Sequence, residues 1–378
     1  MRAIVMAGGE GTRLKSVTGD RPKPMALLAG KPVLEHILAL LRRNGITEAC
    51  LTLRYRPEVI RDYFGDGSAF GMKLEYHVEA EPLGTAGGVR ACAAWYGRED
   101  FLVISGDAAC DFDLRALAKA HRERGAAVTM ALYSRETPLQ YGTVLTDRSG
   151  RVVSFCEKPD WSHVVSDLVN TGIYVVRPEA MDLVPEGEPW DFARDLFPAL
   201  MAAEQPILGV PMAGYWCDIG TPRAYHQCNL DALDGRLELA PSPRELSAKP
   251  TEGVAPSPRE LSAKPTEGVA PSPRELSAKP TEGVAPSPRE LSTKPTEGVF
   301  PCRSRARLMR ELSCSGMEAG ADMDLSAGLT LRLGDNRLHV APSTEEEALR
   351  YWAEGKAAGA LTDECGALLA ELEDEICN

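Results

Sequence analysis

Short apolar runs alternate with segments of helical apolar periodicity along the first 235 residues of the chain. Segments 32–45, 58–64 and 85–95 carry apolar residues at helical spacing, and the first of them ends at Gly45. Because alternating strands and helices are typical of a parallel sheet covered by helices, the pattern predicts an α/β domain with such a sheet. The predicted strands span residues 3–6, 49–53, 74–78, 101–105 and 128–133.

The pattern changes after Tyr133, where two apolar runs flank the turn sequence 147–150. Segments 143–146 and 152–156 predict a β-hairpin, and we expect a smaller β-rich lobe to begin there. The further elements predicted for this region are a strand at 173–176, a helix at 192–201 and a strand at 207–210.

Residues 240–299 are four tandem copies of a 15-residue Pro-rich unit, altered only by Thr293 in the last copy. Each copy offers one Leu and one Val and no aromatic residue, so little surface can be buried to offset chain entropy. The composition predicts a disordered linker. A fixed period also suits a solenoid, but three prolines and two large apolar residues per copy supply little core.

The tail, residues 305–378, returns to globular composition. It begins with an amphipathic segment and contains turn residues around Gly334, which predict a hairpin. We expect a small α+β domain that is only marginally stable without a partner surface. Its last helix is predicted to align Leu361, Cys365, Leu368, Leu369, Leu372 and Ile376 on one face.

Charge limits the classes of partner. The chain has 378 residues with 42 Lys and Arg against 55 Asp and Glu, which gives a net charge of −13. Nucleic acid and anionic membranes are therefore not expected as partners, although a local basic pocket can still attract phosphates. The ten cysteines form no C-x-x-C pair, and no signal peptide or transmembrane span is visible, so the predicted compartment is the cytoplasm.

A glycine-rich segment follows the first predicted strand. Gly8, Gly9 and Gly11 let the backbone turn its N–H groups inward, and such a nest of donors binds anions. Arg13 and Lys23 add two positive charges. The spacing fits neither the dinucleotide fingerprint nor the P-loop, and it predicts a site for a nucleoside triphosphate, with a tight βα connection as the alternative.

Two acids follow apolar segments. Asp107 comes directly after the strand at 101–105, and Asp218 lies in an apolar stretch ahead of a helix. Two carboxylates near a triphosphate are suitable ligands for Mg²⁺, which often keeps waters and substrate phosphates in its shell. Each acid has an alternative role as a turn or helix cap.

Polar residues also follow the later strands. Glu157 can accept bonds from hydroxyls while Lys158 donates to a phosphate, and a solvated surface ion pair is the alternative. Asn170 can donate to and accept from a sugar, or can simply form a turn.

These motifs together resemble the sugar-1-phosphate nucleotidyltransferases, and most of all their mannose-1-phosphate guanylyltransferase-like branch. The resemblance covers residues 1–235 and implies a Rossmann-like catalytic domain with a mixed sheet. The motifs that carry it are Gly8-Gly9-Glu10-Gly11-Thr12-Arg13, Pro22-Lys23-Pro24, Pro82-Leu83-Gly84-Thr85-Ala86-Gly87, Gly106-Asp107, Glu157-Lys158-Pro159, Asn170-Thr171-Gly172 and Trp216-Cys217-Asp218-Ile219-Gly220.

The resemblance implies a role for each motif. Arg13 and Lys23 would stabilise charge as a sugar 1-phosphate attacks the α-phosphorus of the nucleoside triphosphate, and Asp107 and Asp218 would hold Mg²⁺. The implied nucleotide-binding residues are Gly8, Gly9, Gly11, Thr12, Arg13, Glu79, Pro82, Gly84 and Thr85. The implied sugar-phosphate-binding residues are Tyr141, Gly142, Glu157, Lys158 and Asn170.

The choice of base is argued from Glu79 and Glu81, which precede the segment where the family binds the base. A carboxylate can accept both donors on the Watson–Crick edge of guanine, so GTP is the first hypothesis, with mannose 1-phosphate as the sugar. The alternatives are UTP, dTTP or ATP with glucose 1-phosphate, and a non-catalytic regulatory homologue that binds sugar nucleotides. The sequence leaves open whether the chain forms a homo-oligomer.

Relatives often continue into a β-helix, whereas this chain continues into the repeats and the tail. The tail resembles the last domain of a phosphohexomutase over residues 305–373, through segments such as 324–329 and 340–345. Ala341 stands where that family has the Arg of its phosphate loop, and no mutase nucleophile is visible, so mutase activity is not expected.

Overall fold

The computed structural model describes residues 1–239 and 296–377. The predicted linker lies outside the described residues except for its last four, which belong to a strand that starts at Thr296 rather than to a linker. In the N-terminal unit the strands are β1 Ala3–Met6, β2 Leu27–Leu28, β3 Lys31–Pro32, β4 Glu48–Leu53, β5 Lys73–Val78, β6 Phe101–Ser105, β7 Ala108–Cys110, β8 Val128–Ser134, β9 Gly142–Thr146, β10 Val152–Glu157, β11 Leu168–Val176, β12 Ile207–Pro211 and β13 Trp216–Asp218. Its α-helices are α1 Lys15–Thr18, α2 Val33–Arg43, α3 Pro57–Phe64, α4 Gly84–Arg90, α5 Ala93–Tyr96, α6 Leu114–Arg124, α7 Phe197–Ala202 and α8 Pro222–Leu233.

Nine of these strands form one mixed sheet, with the order β10-β9-β11-β6-β1-β4-β5, while β8 pairs with β11 and β12 with β8. The pairs β1–β4, β1–β6, β4–β5 and β8–β12 are parallel, and β11 runs antiparallel to β6 and β8. This arrangement confirms the predicted α/β fold with a mixed sheet.

Alternate residues of the strands enter different cores. Ala3 and Val5 of β1 lie in one apolar cluster, whereas Ile4 lies in the cluster on the other face. Both faces are covered, so the central strands are continuous apolar runs rather than alternating ones. This explains why they could be predicted from the sequence.

Three further predictions differ from the structure. The expected β-rich lobe is wrong, because β9 and β10 extend the main sheet through β11. The helix expected at 85–95 is divided into α4 and α5 by a break at Ala91 and Cys92. Strand β11 begins at Leu168, whereas only the apolar run at 173–176 was predicted. The first half of the strand was not predicted because it carries polar residues, and its register shifts between Asn170 and Tyr174.

The described C-terminal unit is a five-stranded antiparallel sheet with the order β14-β18-β17-β16-β15. The predicted hairpin around Gly334 is β16 and β17. Within the described residues no helix combines the length and apolarity needed to cross a membrane. The elements of this unit are β14 Thr296–Pro301, α9 Arg305–Glu318, β15 Asp322–Asp324, β16 Leu329–Leu333, β17 Asn336–Pro342, β18 Ala348–Glu354 and α10 Ala358–Cys377.

Candidate active site

The carboxyl ends of β1 and β6 place the glycine-rich loop beside Asp107. The two strands are parallel neighbours, with Met6 opposite Ser105, so the chain leaves both at the same edge of the sheet. Gly106 donates its N–H to the Met6 carbonyl at 2.8 Å. A Cβ on Gly106 would lie 2.9 Å from that carbonyl oxygen, so the close approach requires glycine.

Asp218 reaches the same place through a second small sheet. Strand β13 pairs antiparallel with β7, and Asp218 lies opposite Ala108, the residue after Asp107. Two acids that are far apart in sequence therefore become neighbours by strand register. Both side chains are about one-third exposed, at 32% for Asp107 and 31% for Asp218.

Lys23 lies between these acids. Its Nζ is 2.9 Å from Oδ2 of Asp107 and 2.7 Å from Oδ1 of Asp218, and its side chain is only 9% exposed. The short 3₁₀-helix Lys23–Met25, entered through Pro22, carries it. The predicted cation and the two predicted acids thus form one contiguous group.

The ion pairs also set the charge states. Burial by itself would lower the pKa of Lys23, but the carboxylates of Asp107 and Asp218 outweigh it and raise that pKa. Burial likewise acts to raise the pKa of Asp107, but Lys23 and the Ser105 hydroxyl, which donates at 2.7 Å, lower it. Lys23 and Asp107 are therefore both charged at neutral pH.

The glycine-rich loop closes over Lys23. Gly11 has φ 65°, and a Cβ there would lie 2.6 Å from Cβ of Lys23, so the loop approaches Lys23 only because residue 11 is glycine. Gly9, Gly11 and Thr12 line a recess of about 240 Å³. Arg13 lines both this recess and a larger adjoining cleft, and its Nη2 is 3.2 Å from where a Cβ on Gly220 would be.

The adjoining cleft has a volume of about 260 Å³. The predicted sugar side lies in it: the Tyr141 ring meets Trp216 edge-on at 5.3 Å between centroids, and a Cβ on Gly142 would be 2.7 Å from Oε2 of Glu157. The predicted site residues that line this cleft are Arg13, Lys23, Thr85, Asp107, Tyr141, Gly142, Glu157, Asn170 and Asp218.

Residues 2–235 match the model of the Nucleotidyl transferase family. The chain belongs to this family. It is 37% identical over 240 residues to a UTP–glucose-1-phosphate uridylyltransferase of Synechocystis sp., covering 60% of this chain and 62% of that protein. It is 39% identical over 242 residues to a mannose-1-phosphate guanylyltransferase of Mycobacterium tuberculosis, covering 64% of this chain and 66% of that protein.

A solved structure shares the fold. HddC from Yersinia pseudotuberculosis, in its complex with GMP-PN, is 26% identical and superposes with a TM-score of 0.53 over 61% of this chain and 99% of that one. The match with the two curated relatives described above covers less than two thirds of the length of each. The predicted family is confirmed for the N-terminal unit.

Lys158 of this nucleotidyl transferase lies outside the lining of both cavities. Its backbone is left-handed, with φ 51°, and its N–H donates to the Tyr141 carbonyl at 3.0 Å. Its Nζ is 3.5 Å from Oε1 of Glu157, and its side chain is 54% exposed. The contact is the ion pair named as the alternative, and the phosphate-binding role of Lys158 stays a prediction.

The predicted base-binding segment also lies beside the cavities rather than in them. Glu79 accepts the Leu83 N–H through Oε2 at 3.3 Å, and burial raises the pKa of its carboxyl against the effect of that bond. Pro82 and Glu81 are exposed. Gly84 has φ 70°, and its Cβ would lie 2.4 Å from the Trp190 carbonyl oxygen.

Gly8 has a structural contact instead of lining the recess: its carbonyl accepts the Tyr55 N–H at 3.4 Å. Asn170 does line the cleft, and its Oδ1 also accepts the Gly172 N–H at 3.1 Å. The turn role named as its alternative is therefore present alongside its position in the cleft.

Asp191 was not predicted from the sequence, and it also lines the cleft. It caps the helical segment Phe192–Leu196 by accepting the Ala193 N–H at 2.9 Å, and it accepts the Thr85 hydroxyl at 2.8 Å. An acid ahead of a predicted helix indicates a cap. Its place beside Thr85 depends on a long-range contact that no local pattern encodes.

The acids fit the metal that the family resemblance implies. Mg²⁺ is commonly held by one or two carboxylates together with waters and substrate phosphates. Asp107 and Asp218 bring two carboxylates together at the cleft, and each has a second oxygen besides the one that Lys23 Nζ contacts. Among the described residues no group of three or more His, Cys, Asp or Glu side chains is placed to bind a metal, so the remaining ligands would come from substrate and water.

Proposed function

We propose that this protein transfers a nucleotidyl group from a nucleoside triphosphate to a sugar 1-phosphate. A phosphate oxygen of the sugar forms a bond to the α-phosphorus, the bond to the β-phosphate oxygen breaks, and pyrophosphate leaves. The observation that carries the proposal is the convergence of Arg13, Lys23, Asp107 and Asp218 beside the glycine-rich loop. Both curated relatives described above carry names of this reaction class.

The chemistry follows from the charges. Transfer at phosphorus depends on positioning and on cations where negative charge develops. The glycine loop would bind the triphosphate through backbone N–H groups, with Arg13 and Lys23 neutralising the charge of the departing pyrophosphate. Mg²⁺, held by Asp107 and Asp218, would supply further neutralisation of phosphate charge.

The sugar would occupy the side of the cleft lined by Tyr141, Gly142, Glu157 and Asn170. A carboxylate and an amide there provide acceptors and donors for hydroxyl groups, and the Tyr141 and Trp216 rings provide an apolar wall. Lys158 is proposed to contact the sugar phosphate from the rim.

We favour GTP and mannose 1-phosphate as the substrates. The relative from M. tuberculosis is named as a mannose-1-phosphate guanylyltransferase, and the HddC structure contains GMP-PN. Glu79 and the exposed Glu81 supply carboxylates on the segment proposed to bind guanine. The second candidate pair is UTP with glucose 1-phosphate, which the name of the Synechocystis relative favours.

The test is pyrophosphate release by the full chain with Mg²⁺ and each common nucleoside triphosphate, paired with mannose 1-phosphate or glucose 1-phosphate. Release with one pair, abolished in Lys23→Ala, supports the proposal and identifies base and sugar together. No release with any pair, from a protein that binds a sugar nucleotide, would favour a regulatory homologue.

The base hypothesis has its own test. Glu79→Gln and Glu81→Gln should each be compared with the unaltered chain for GTP against UTP. A carboxylate that accepts the guanine donors predicts a selective loss of GTP use in at least one variant. An unchanged nucleotide preference in both variants would remove the argument for guanine.

A further inference from the structure

The C-terminal unit packs against the sugar side of the catalytic unit. Leu145 of β9 and Val165 belong to the same buried apolar cluster as Leu308 and Leu312 of α9. The Cys314 thiol of α9 donates to the Thr146 carbonyl at 3.4 Å. The helix thus lies on strand β9, which begins with Gly142 of the cleft.

A buried ion pair crosses this contact. Nη1 of Arg310, in α9, lies 3.0 Å from Oδ1 of Asp167, whose side chain is 2% exposed. The other carboxylate oxygen accepts the Ser134 hydroxyl at 2.5 Å, and the Asp167 backbone carbonyl accepts the Arg135 N–H at 2.9 Å. Asp167 therefore joins the C-terminal unit to the end of β8.

Contacts continue from Asp167 to the cleft in two directions. Along the chain, Asp167 directly precedes β11, which carries Asn170 into the cleft. Across the sheet, Arg135 donates to the Trp216 carbonyl at 2.6 Å, and its guanidinium lies over the Trp216 ring at 5.5 Å. Trp216 contacts Tyr141 and begins β13, which ends at Asp218.

We infer that Arg310 of the C-terminal unit is a positioning residue for the sugar side of the active site. It fixes Asp167, and through Asp167 it fixes the start of β11 and the Arg135–Trp216 contact. The glycine loop lies at the end of a different strand, β1, and the contacts described above do not include it, so we expect the sugar side to be affected more than triphosphate binding. This inference rests on the proposed function.

The surface beside this ion pair offers a matched control. Arg148 of the catalytic unit also pairs with α9, through Glu318 at 3.1 Å and through Glu311 at 3.5 Å, but its side chain is 55% exposed. Glu311 also pairs with Arg310 at 2.9 Å, so the two variants share this carboxylate and differ in the contact with Asp167. Exposed ion pairs contribute little to stability. If docking of the C-terminal unit is what matters, loss of either ion pair should change KM for the sugar 1-phosphate to the same extent. If Asp167 positions the sugar side, only loss of the buried pair should change that KM.

The experiment measures steady-state kinetics of full-length Arg310→Gln, Arg310→Lys and Arg148→Gln. Arg310→Gln should raise KM for the sugar 1-phosphate by about tenfold, a coupling of the size seen between connected sites. KM for the nucleoside triphosphate should change less than about twofold, and Arg148→Gln should behave as the unaltered chain. Because the pair with Asp167 is a single N···O contact, Arg310→Lys should keep it, and KM for the sugar 1-phosphate should stay near that of the unaltered chain.

Ser134→Ala supplies a second variant for the case in which Arg310→Gln does not fold. It removes the hydroxyl bond to Asp167 and leaves the ion pair, so a smaller rise of the same sugar KM, about threefold, is expected. Unchanged sugar KM in Ser134→Ala and in folded Arg310→Gln, or equal effects on both substrates, would overturn the inference.

Hydrogen exchange separates failure of this inference from failure of the proposed function. Peptides covering 164–170 and 214–219 should exchange faster in Arg310→Gln than in Arg148→Gln, whether or not the protein is active. If these peptides exchange faster in Arg310→Gln but the unaltered chain shows no turnover, the positioning role is supported and the substrate assignment is rejected. Equal exchange in the two variants would reject the positioning role.

Discussion

The contact between the glycine loop and Lys23 shows how much one residue can decide. Lys23 holds two carboxylates in a position where they would otherwise repel each other, and Gly11 allows the loop to lie directly against its Cβ. Neither function depends on local secondary structure. Both depend on what lies within 3 Å of one side chain.

Gly11→Ala should destabilise the protein. Its φ of 65° is strained for alanine, and the new Cβ would lie 2.6 Å from Cβ of Lys23. We expect a loss of about 1–3 kcal/mol in the free energy of unfolding. Gly9→Ala is the control, because a Cβ on Gly9 would meet no atom within 4 Å. Urea unfolding measures the free energy of unfolding of both variants. An equal loss in the two would contradict the requirement for glycine at position 11.

The ion pair of Asp107 should make the free energy of unfolding depend on pH in the acid range. Burial acts to raise its pKa, but Lys23 and Ser105 outweigh it and lower the pKa in the folded protein. A carboxyl with a lowered folded pKa stabilises the fold above its unfolded pKa, about 3.9, and this contribution is lost as the pH falls through the folded value.

The free energy of unfolding should therefore fall more steeply with acid in the unaltered chain than in Asp107→Asn, as the pH falls below about 4. Urea unfolding at a series of pH values measures both curves. Parallel curves would show that the ion pair with Lys23 does not stabilise the fold.

At the scale of elements, strand ends and helix starts converge on the cleft. β1 and β6 bring the glycine loop and Asp107, and the segment Phe192–Leu196 brings its cap residue Asp191. Thr85 near the start of α4 joins this group through its bond to Asp191. Asp191 thus has two roles, one in starting a helix and one in shaping the cleft.

Asp191→Ala should separate these roles when compared with Asp113→Ala. Asp113 caps α6 by accepting the Arg115 N–H at 3.0 Å, and it does not line the cleft. Each substitution should cost about 1 kcal/mol of stability through the lost cap. Only Asp191→Ala should also lower kcat/KM, because it releases the Thr85 hydroxyl in the cleft. Equal kcat/KM values for the two variants would limit Asp191 to a cap.

At the scale of the whole molecule, the two units share a core. The apolar cluster of the C-terminal unit includes Leu145 and Val165 of the catalytic unit. The tail is predicted from its sequence to be only marginally stable without a partner surface, and the catalytic unit supplies such a surface. Two units joined through a buried cluster should unfold together.

Calorimetry should thus show one transition for the full chain. Leu145→Ala, at a side chain that is 1% exposed, should lower the stability of that whole transition by about 2–5 kcal/mol. Leu145→Met conserves volume and should cost less than about 1.5 kcal/mol. Two separate transitions in the unaltered chain would contradict the shared core.

The sequence by itself determined the central strands of the main sheet, the glycine loop and the positions of the two acids. Strands buried on both faces must be continuous apolar runs, and loop glycines are set by local backbone geometry, so both leave patterns within a few residues. The family followed from the order of these motifs. The start of β11 was not predicted, because its polar residues line the cleft and so interrupt the apolar run.

Only the tertiary structure decided which of these residues meet. Lys23 and Asp218 are 195 positions apart, and Thr85 and Asp191 are 106 apart. Strand register and the docking of α9 bring such pairs together, including Arg310 and Asp167. A residue pattern indicates which positions are buried, because apolar periodicity can be seen within a few residues. It does not identify the partner of a residue, because contacts depend on the packing of all the elements.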